Sequence, residues 1–278
     1  MGELRTWPQY PKESSRKEYC HWIPNSATAQ HRDSEKSMKK LLSAIIQACP
    51  PLYRQINRLR KFRLHEPNFS LPHRVLGSTY GGWAIPDNYL NPASIVYTVG
   101  VGEDISFDLA LVNTYGCKVF AFDPTPIAVQ FISKNQLPGQ MTFVPIGLSS
   151  KDGPETFYTP QVPGFHSFSQ CIDPSQGTST EIVCEAMTLK SIMERFNHSS
   201  VDLIKMDIEG FEYDVIEHML VSIPSCSLPK CLLIEFHHLV YGIGTERTYK
   251  AVESLLVRGY KIFWVSQVGK EYGFFLCC

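Results

Sequence analysis

Three charged side chains mark the most informative stretch of the sequence, residues 201–212. Lys205, Asp207 and Glu209 alternate with apolar residues, so in a strand the three charges would share one face. Charge at the end of an apolar strand is costly to bury unless the charged groups line a cleft. In open α/β sheets, ligands bind outside the carboxyl ends of the strands. The stretch therefore predicts a functional site with Lys205, Asp207 and Glu209 as candidate catalytic residues.

A second polar group follows another apolar run and contains Glu235, His237 and His238. An ordinary histidine titrates close to working pH, which suits a general base. We predict His237 as the first candidate for that base, ahead of Asp207 and Glu209. Two alternatives stay open: a structural or surface histidine pair, or a divalent metal held by Asp207 with Glu235 or His237. Because no motif spacing supports the metal, we predict a site without one.

A glycine-rich turn follows the apolar residues 96–99. Gly100 and Gly102 permit a sharp bend and a close approach by a ligand, but the third glycine of the dinucleotide fingerprint is absent. Glu103 and Asp104 stand where the next helix begins, and there they would repel a pyrophosphate. A cationic or zwitterionic ligand suits this turn better, which favours a sulfonium such as S-adenosylmethionine over NAD. We predict Gly100, Gly102 and Glu103 as cofactor-binding residues.

Asp123 ends the next apolar run, 21 residues after Gly102. An acidic residue at this position accepts hydrogen bonds from the ribose hydroxyls of a bound nucleoside. The alternative is that Asp123 caps the turn before Pro124 and Pro126. We predict the ribose contact.

Alternating strands and helices must position these residues, and they begin near residue 94. The periodicity predicts strands at 94–99, 118–122, 142–147, 201–207 and 231–236, and helices at 105–115, 126–135, 189–196, 211–220 and 246–258. Two last strands, 260–265 and 273–277, are joined by a tight polar link that suits a hairpin. The alternation predicts an α/β fold with a doubly wound, mostly parallel sheet and an antiparallel C-terminal edge hairpin.

Charge distinguishes an N-terminal extension, residues 1–70, from the domain of residues 71–278. The net charge is −1, yet residues 1–74 carry 14 Lys and Arg against 6 Asp and Glu. The spacing predicts a partly disordered segment followed by basic helices. These helices could contact a membrane surface or a polyanion, but we favour solvated helices that pack one face on the domain.

No apolar run reaches the ~18 residues that a membrane span requires. The nine cysteines include no CxxC pair and several lie in strand-like apolar runs. This pattern favours a reducing compartment, and we predict a cytoplasmic location.

Taken together, these segments resemble the FkbM-type family of S-adenosylmethionine-dependent methyltransferases. The matching residues are the Lys205-x-Asp207-x-Glu209-Gly210-x-Glu212 block, Gly100-Val101-Gly102-Glu103-Asp104, Phe122-Asp123-Pro124, Thr188-Leu189 and Ile234-Glu235-Phe236-His237. The resemblance covers roughly residues 78 to 277 and implies a class I Rossmann-like methyltransferase fold. It also implies that Gly100, Gly102 and Asp123 contact the cofactor, and that Asp207 lies near the methyl group or the substrate.

We therefore predict a methyltransferase that uses S-adenosylmethionine and O-methylates a hydroxyl on a sugar or another small molecule. Lys205 would stabilise the developing alkoxide or neutralise the acids around it. The acidic domain argues against a nucleic-acid partner. Two alternatives differ in class: a nicotinamide-dependent oxidoreductase, and a non-catalytic protein that the basic helices recruit to a membrane or polyanion.

Overall fold

The computed structural model describes residues 63–159, 180–240 and 242–277. The basic helices predicted in the N-terminal extension lie outside these residues. Within them, no helix has both the length and the apolar character needed to cross a membrane.

Twelve strands and five α-helices make up the described part of the chain. The strands are β1 (His73–Leu76), β2 (Trp83–Pro86), β3 (Ile95–Val99), β4 (Lys118–Phe122), β5 (Met141–Val144), β6 (Gly147–Leu148), β7 (Gly153–Thr159), β8 (Thr180–Met187), β9 (Leu203–Met206), β10 (Cys231–Glu235), β11 (Tyr260–Val265) and β12 (Glu271–Leu276). The helices are α1 (Ser106–Tyr115), α2 (Pro126–Ser133), α3 (Leu189–Arg195), α4 (Glu212–Ser222) and α5 (Thr245–Val257).

A seven-stranded sheet, in the order β5-β4-β3-β9-β10-β12-β11, forms the centre of the domain. The five strands from β5 to β10 are mutually parallel, and β12 runs antiparallel to both β10 and β11. The predicted doubly wound, mostly parallel sheet with a C-terminal hairpin is confirmed. Within that hairpin the last strand, β12, lies next to β10, so β11 is the outermost strand.

The central strands are buried on both faces because apolar side chains cover each side of the sheet. Leu203 and Leu233 belong to one buried cluster, and their neighbours Ile204 and Leu232 belong to the other. Each such side chain contributes about 1.5–3 kcal/mol when it is fully buried. This packing makes the strand ends rigid supports for the polar residues that follow them.

Two smaller sheets accompany the central one. Strands β1 and β2 form an antiparallel pair that the glycine- and proline-rich sequence before residue 92 did not predict. Trp83 begins β2 and is almost completely buried, which explains why this pair packs on the domain. The second small sheet has the order β6-β8-β7, and its long β7–β8 pair is antiparallel.

The residues just before β1 contact the outer strand of the central sheet. The backbone N–H groups of Asn68 and Phe69 donate to the carbonyl oxygen of Ile262 at 2.9 and 3.0 Å. The N–H of Ile262 donates to Oδ1 of Asn68 at 2.8 Å. Residues 68 and 69 therefore belong structurally to the domain.

Candidate active site

The turn after β3 touches the end of β9 directly. Gly100 has φ +82°, and a Cβ added to it would lie 1.8 Å from the carbonyl oxygen of Asp207. Only glycine fits this close approach and this backbone conformation. Lys205 reinforces the contact, because its Nζ donates to the carbonyl oxygens of Gly100 at 2.7 Å and Val99 at 3.3 Å. The glycine turn and the charged stretch are thus parts of one site.

Gly102 lies in a different environment from Gly100. It also has a positive φ of +54°, but a Cβ added to it would meet nothing within 4 Å. Space beside the backbone at this turn is where a nucleoside-containing cofactor can approach closely. Glu103, the next residue, is exposed. The expectation that Gly100, Gly102 and Glu103 contact the cofactor remains a prediction.

Asp123 is buried and its carboxylate is fully occupied by neighbouring groups. Its Oδ2 accepts from the N–H groups of Val101 and Gly102, each at 2.9 Å. Its Oδ1 accepts from the N–H of Thr125 at 2.9 Å and from the Thr125 hydroxyl at 2.6 Å. A carboxylate has about four acceptor positions, so a ribose hydroxyl would have to replace one of these donors. Asp123 therefore shapes the glycine turn, and the predicted ribose contact stays a prediction.

The charged stretch does not form one face of a strand as predicted. Strand β9 ends at Met206, so Lys205 is in the strand while Asp207 and Glu209 lie on the turn before α4. Glu209 has φ +51°, a conformation uncommon for a residue with a side chain. The turn, and not strand alternation, brings the two carboxylates close to Nε2 of His237. Lys205 still pairs with Asp207, with 3.7 Å between Nζ and Oδ2.

His237 lies at the centre of the acidic cluster, which we define as Asp207, Glu209, Glu212 and Glu235. Its Nε2 is 3.3 Å from Oε2 of Glu209, 3.6 Å from Oδ1 of Asp207 and 3.9 Å from Oε1 of Glu235. On the opposite side of the ring, Nδ1 is 3.3 Å from Oε1 of Glu212. Only 5% of the His237 side chain is exposed, so these carboxylates are its environment.

These surroundings control the charge of His237. Burial by itself would lower the pKa of the imidazole, but the hydrogen bond to Glu212 and the charges of Glu212, Glu209 and Glu235 outweigh it. Together they raise the pKa of His237 to about 10. The imidazole is therefore protonated at neutral pH and cannot accept a proton until it has lost one. The predicted first choice for the general base is thus present in the site in the wrong protonation state for that role.

Glu235 differs from an ordinary surface carboxylate in its raised pKa. Burial and the neighbouring charge of Asp207 raise its pKa, and the positive charges of His237 and Lys270 offset this only in part. The Nζ of Lys270 is 3.5 Å from Oε1 of Glu235. A carboxylate with a raised pKa is a stronger base than an ordinary one.

His238 is separate from this chemistry. Its Nδ1 is buried without a hydrogen-bond partner. Burial, with the nearby charges of Lys270 and His237, lowers its pKa to about 4, so it is neutral. Of the two adjacent histidines, only His237 faces the acidic cluster.

Asp207, Glu209 and His237 offer three atoms that lie within 4.8 Å of one another, a spacing that a metal ion could bridge. The same atoms already form ion pairs in the structure. The sequence-based prediction of a site without a metal remains a prediction.

Glu212 is the functional candidate that sequence reasoning did not single out. It belongs to the charged block, but the first turn of a helix is an ordinary place for an exposed acidic residue. In the structure it is completely buried. Its pairing with His237, 25 residues later, depends on how β9 and β10 lie side by side.

The sheet order, with its single strand antiparallel to the rest, and the glycine turn at the centre of the strand ends define a class I methyltransferase fold. The profile of the methyltransferase FkbM domain matches residues 94–273, which is more than half of the chain. The chain therefore belongs to the FkbM methyltransferase family. This assignment confirms the predicted family, the methyltransferase class and, with it, S-adenosylmethionine as the cofactor.

Similar solved structures have low sequence identity. The precorrin-6y C5,15-methyltransferase of Geobacter metallireducens is 13% identical with a TM-score of 0.36, and the match covers 62% of this chain. This chain spans 66% of that protein's length, which is just under two thirds. The fibrillarin pre-rRNA processing protein of Methanococcus jannaschii is 9% identical with a TM-score of 0.39, covering 77% and 86%. The fibrillarin of Aeropyrum pernix with bound S-adenosyl-L-methionine is 9% identical with a TM-score of 0.36, covering 75% and 84%. Among curated proteins, no sequence matches this chain.

Proposed function

We propose that this methyltransferase transfers the methyl group of S-adenosylmethionine to a hydroxyl oxygen of a sugar or another small molecule. The observation that carries the proposal is the contact between Gly100 and Asp207. It joins the glycine turn, which is the expected donor site, to a cluster of carboxylates that can bind a hydroxyl and accept its proton.

The reaction makes modest demands on the protein. The sulfonium is an activated donor, so the main task is to align the acceptor oxygen with the methyl carbon for in-line attack. An O–C bond forms as the S–C bond breaks, giving a methyl ether and S-adenosylhomocysteine. The proton of the hydroxyl passes to a base in the site.

The base is a carboxylate in our proposal. Asp207 and Glu209 were the second choices from the sequence, and both are partly exposed beside His237. Glu235 joins them because its raised pKa makes it a stronger base than an ordinary carboxylate. His237, protonated, offsets the charge of the surrounding carboxylates and can donate a hydrogen bond from Nε2 to the acceptor oxygen.

Lys205 links the glycine turn to Asp207. Its Nζ is bound to the carbonyl oxygens of Gly100 and Val99 and lies 3.7 Å from Asp207. These contacts fit the second of the two predicted roles, neutralising the acids, better than stabilising an alkoxide. An ammonium group held by two carbonyl oxygens has little freedom to move towards the negative charge that develops on the acceptor oxygen.

A small-molecule acceptor is part of the proposal, and the family resemblance supports it. The carboxylates Asp207, Glu209, Glu212 and Glu235 outnumber the cations His237, Lys205 and Lys270 at the site, which disfavours a phosphate-rich polymer. A neutral or cationic compound that carries a hydroxyl suits this surface.

Donor binding is the first test. Thermal unfolding of the full chain would be compared with S-adenosylmethionine, S-adenosylhomocysteine or NAD at matched concentrations. A ligand at about 100 times its dissociation constant adds about 2.7 kcal/mol of stability, a shift of several degrees. We expect stabilisation by both sulfur ligands and not by NAD. Stabilisation by NAD alone would contradict the proposal and support the oxidoreductase alternative.

Acceptor identity needs a second experiment. S-adenosylhomocysteine formation would be followed with the full chain, labelled S-adenosylmethionine and panels of sugars and other small alcohols. Matched panels of amines and carboxylic acids distinguish methylation of a hydroxyl oxygen from methylation of a nitrogen or a carboxylate. Turnover with amines and none with alcohols would contradict O-methylation while leaving the methyltransferase class intact.

The non-catalytic alternative rests on the basic helices, which lie outside the described residues. It would regain support only if neither sulfur ligand binds and residues 1–70 bind anionic vesicles in a salt-sensitive way.

A further inference from the structure

Glu212 connects the ends of two neighbouring strands. Its Oε1 accepts from the backbone N–H of His237 at 2.8 Å and faces Nδ1 of the same residue at 3.3 Å. Its Oε2 accepts from the N–H of Gly210 at 2.8 Å, in the turn that also carries Glu209. One side chain thus holds both the histidine after β10 and the carboxylate turn after β9.

The contact at Nδ1 determines which ring nitrogen faces the cleft. With Nδ1 directed at Glu212, Nε2 points to Glu209 at 3.3 Å and to Asp207 at 3.6 Å. We infer that Glu212 is a positioning residue, which fixes the His237 ring so that Nε2 faces the acceptor side of the acidic cluster. This inference rests on the proposed function, because it assigns Glu212 a task in that same reaction.

The complete burial of Glu212 requires that its charge be compensated by its neighbours. Glu212 has no exposed surface, and a buried carboxylate is costly unless hydrogen bonds and a nearby positive charge compensate it. An uncharged amide could accept the two backbone N–H groups only in part, and it would not stabilise a cationic ring. The carboxylate does both, as a buried acid behind a histidine does when it orients the ring and stabilises the imidazolium.

The charge of His237 depends on all the groups around it. Among the described residues, the carboxylates that face it are Asp207, Glu209, Glu212 and Glu235. His238 follows it in the chain, and Lys270 approaches the same Oε1 of Glu235, at 3.5 Å. Among the carboxylates, Glu212 alone faces Nδ1, so its effect can be separated from those at Nε2.

The test uses Glu212→Gln and Glu212→Asp in the full chain. Glu217→Gln is the matched control, because Glu217 lies exposed on the same helix, α4. Binding of S-adenosylhomocysteine is measured by calorimetry. The ring nitrogens are followed by NMR in protein with ¹⁵N-labelled histidine; the chain has nine histidines, and His237→Gln assigns the His237 signals.

We expect Glu212→Gln to lower the midpoint of His237 deprotonation by about one pH unit or more, a tenfold change or greater in its proton affinity. Glu212→Asp keeps the charge and should recover part of the shift, and Glu217→Gln should leave the midpoint unchanged. S-adenosylhomocysteine affinity should stay near that of the unaltered chain in all three variants.

An unchanged His237 midpoint in Glu212→Gln would overturn the inference. If Glu212→Gln fails to fold, the position of the proton on neutral His237 in the unaltered chain tests the inference instead. A neutral ring without a proton on Nδ1 would overturn the inference. Failure of the unaltered chain to bind S-adenosylhomocysteine would instead contradict the proposed function, whatever the histidine signals show.

Discussion

Gly100 and Asp207 are in contact at the carboxyl ends of β3 and β9, where a Cβ on Gly100 would lie 1.8 Å from the Asp207 carbonyl oxygen. The contact links the expected donor site to the candidate catalytic residues through rigid backbone. Any displacement of one strand end is therefore transmitted to the other.

Gly100→Ala should damage both the fold and donor binding. The added methyl group overlaps backbone that has no room to move, and φ is +82°. We expect a loss of at least about 3 kcal/mol in the free energy of unfolding, measured by urea denaturation. Gly139→Ala is the control, because a Cβ there meets nothing within 4 Å. Equal stability of the two variants would contradict the contact.

Gly102→Ala should separate cofactor binding from stability. The added methyl group points into open space, so the cost is limited to about 1 kcal/mol for the left-handed backbone conformation. If the cofactor approaches here, S-adenosylhomocysteine affinity should fall about tenfold or more, about 1.4 kcal/mol, in calorimetry. Undiminished affinity would remove Gly102 from the cofactor site.

Asp207→Asn should lower turnover while the fold persists. Asp207 is partly exposed beside His237, and the amide cannot accept a proton or match the charge of the carboxylate. We expect a fall of about 100-fold in S-adenosylhomocysteine formation with the acceptor identified by the screen. Glu253→Gln, at an exposed position of α5, supplies the comparison. Turnover equal to that of the control would exclude Asp207 from the mechanism.

Stability should fall at alkaline pH because of His237. Its pKa is raised from an ordinary value near 6.5 to about 10 in the folded protein. Its contribution to stability is therefore complete below about pH 6.5 and is lost as the pH rises through 10.

Urea denaturation between neutral pH and pH 10 would measure this loss in the unaltered chain and in His237→Gln. Other groups titrate in the same range, so the difference between the two curves isolates His237. Parallel curves would show that the imidazole is not charged by its carboxylate neighbours.

The sequence predicted the helices and strands whose apolar periodicity reflects which of their own residues are buried. Strands β4 and β11 have the predicted bounds, and α3 spans Leu189–Arg195 where a helix at 189–196 was predicted. Strands β1 and β2 were not predicted, because they are only four residues each and glycines separate them, and their pairing is set by packing around Trp83.

The sequence predicted that Lys205, Asp207, Glu209 and His237 lie close together, because all four follow or end neighbouring strands, and in the structure they do. Their roles in the reaction stay predictions. The strand-end rule gives the neighbourhood of these residues but not their protonation states. It cannot say that the imidazole is a cation, because that depends on Glu212 lying behind the ring. Nor does a motif reveal that Asp123 has already used its acceptor positions on Val101, Gly102 and Thr125.

The bonds between residues 68–69 and Ile262 have a consequence for the solubility of the protein. An unpaired outer strand presents free N–H and C=O groups that can template association with another copy. At Ile262 the N–H and the carbonyl oxygen are already bound by Asn68 and Phe69. Residues 68 and 69 thus protect the outer strand from pairing with another copy at that point, and a chain that begins at residue 71 would lose this protection.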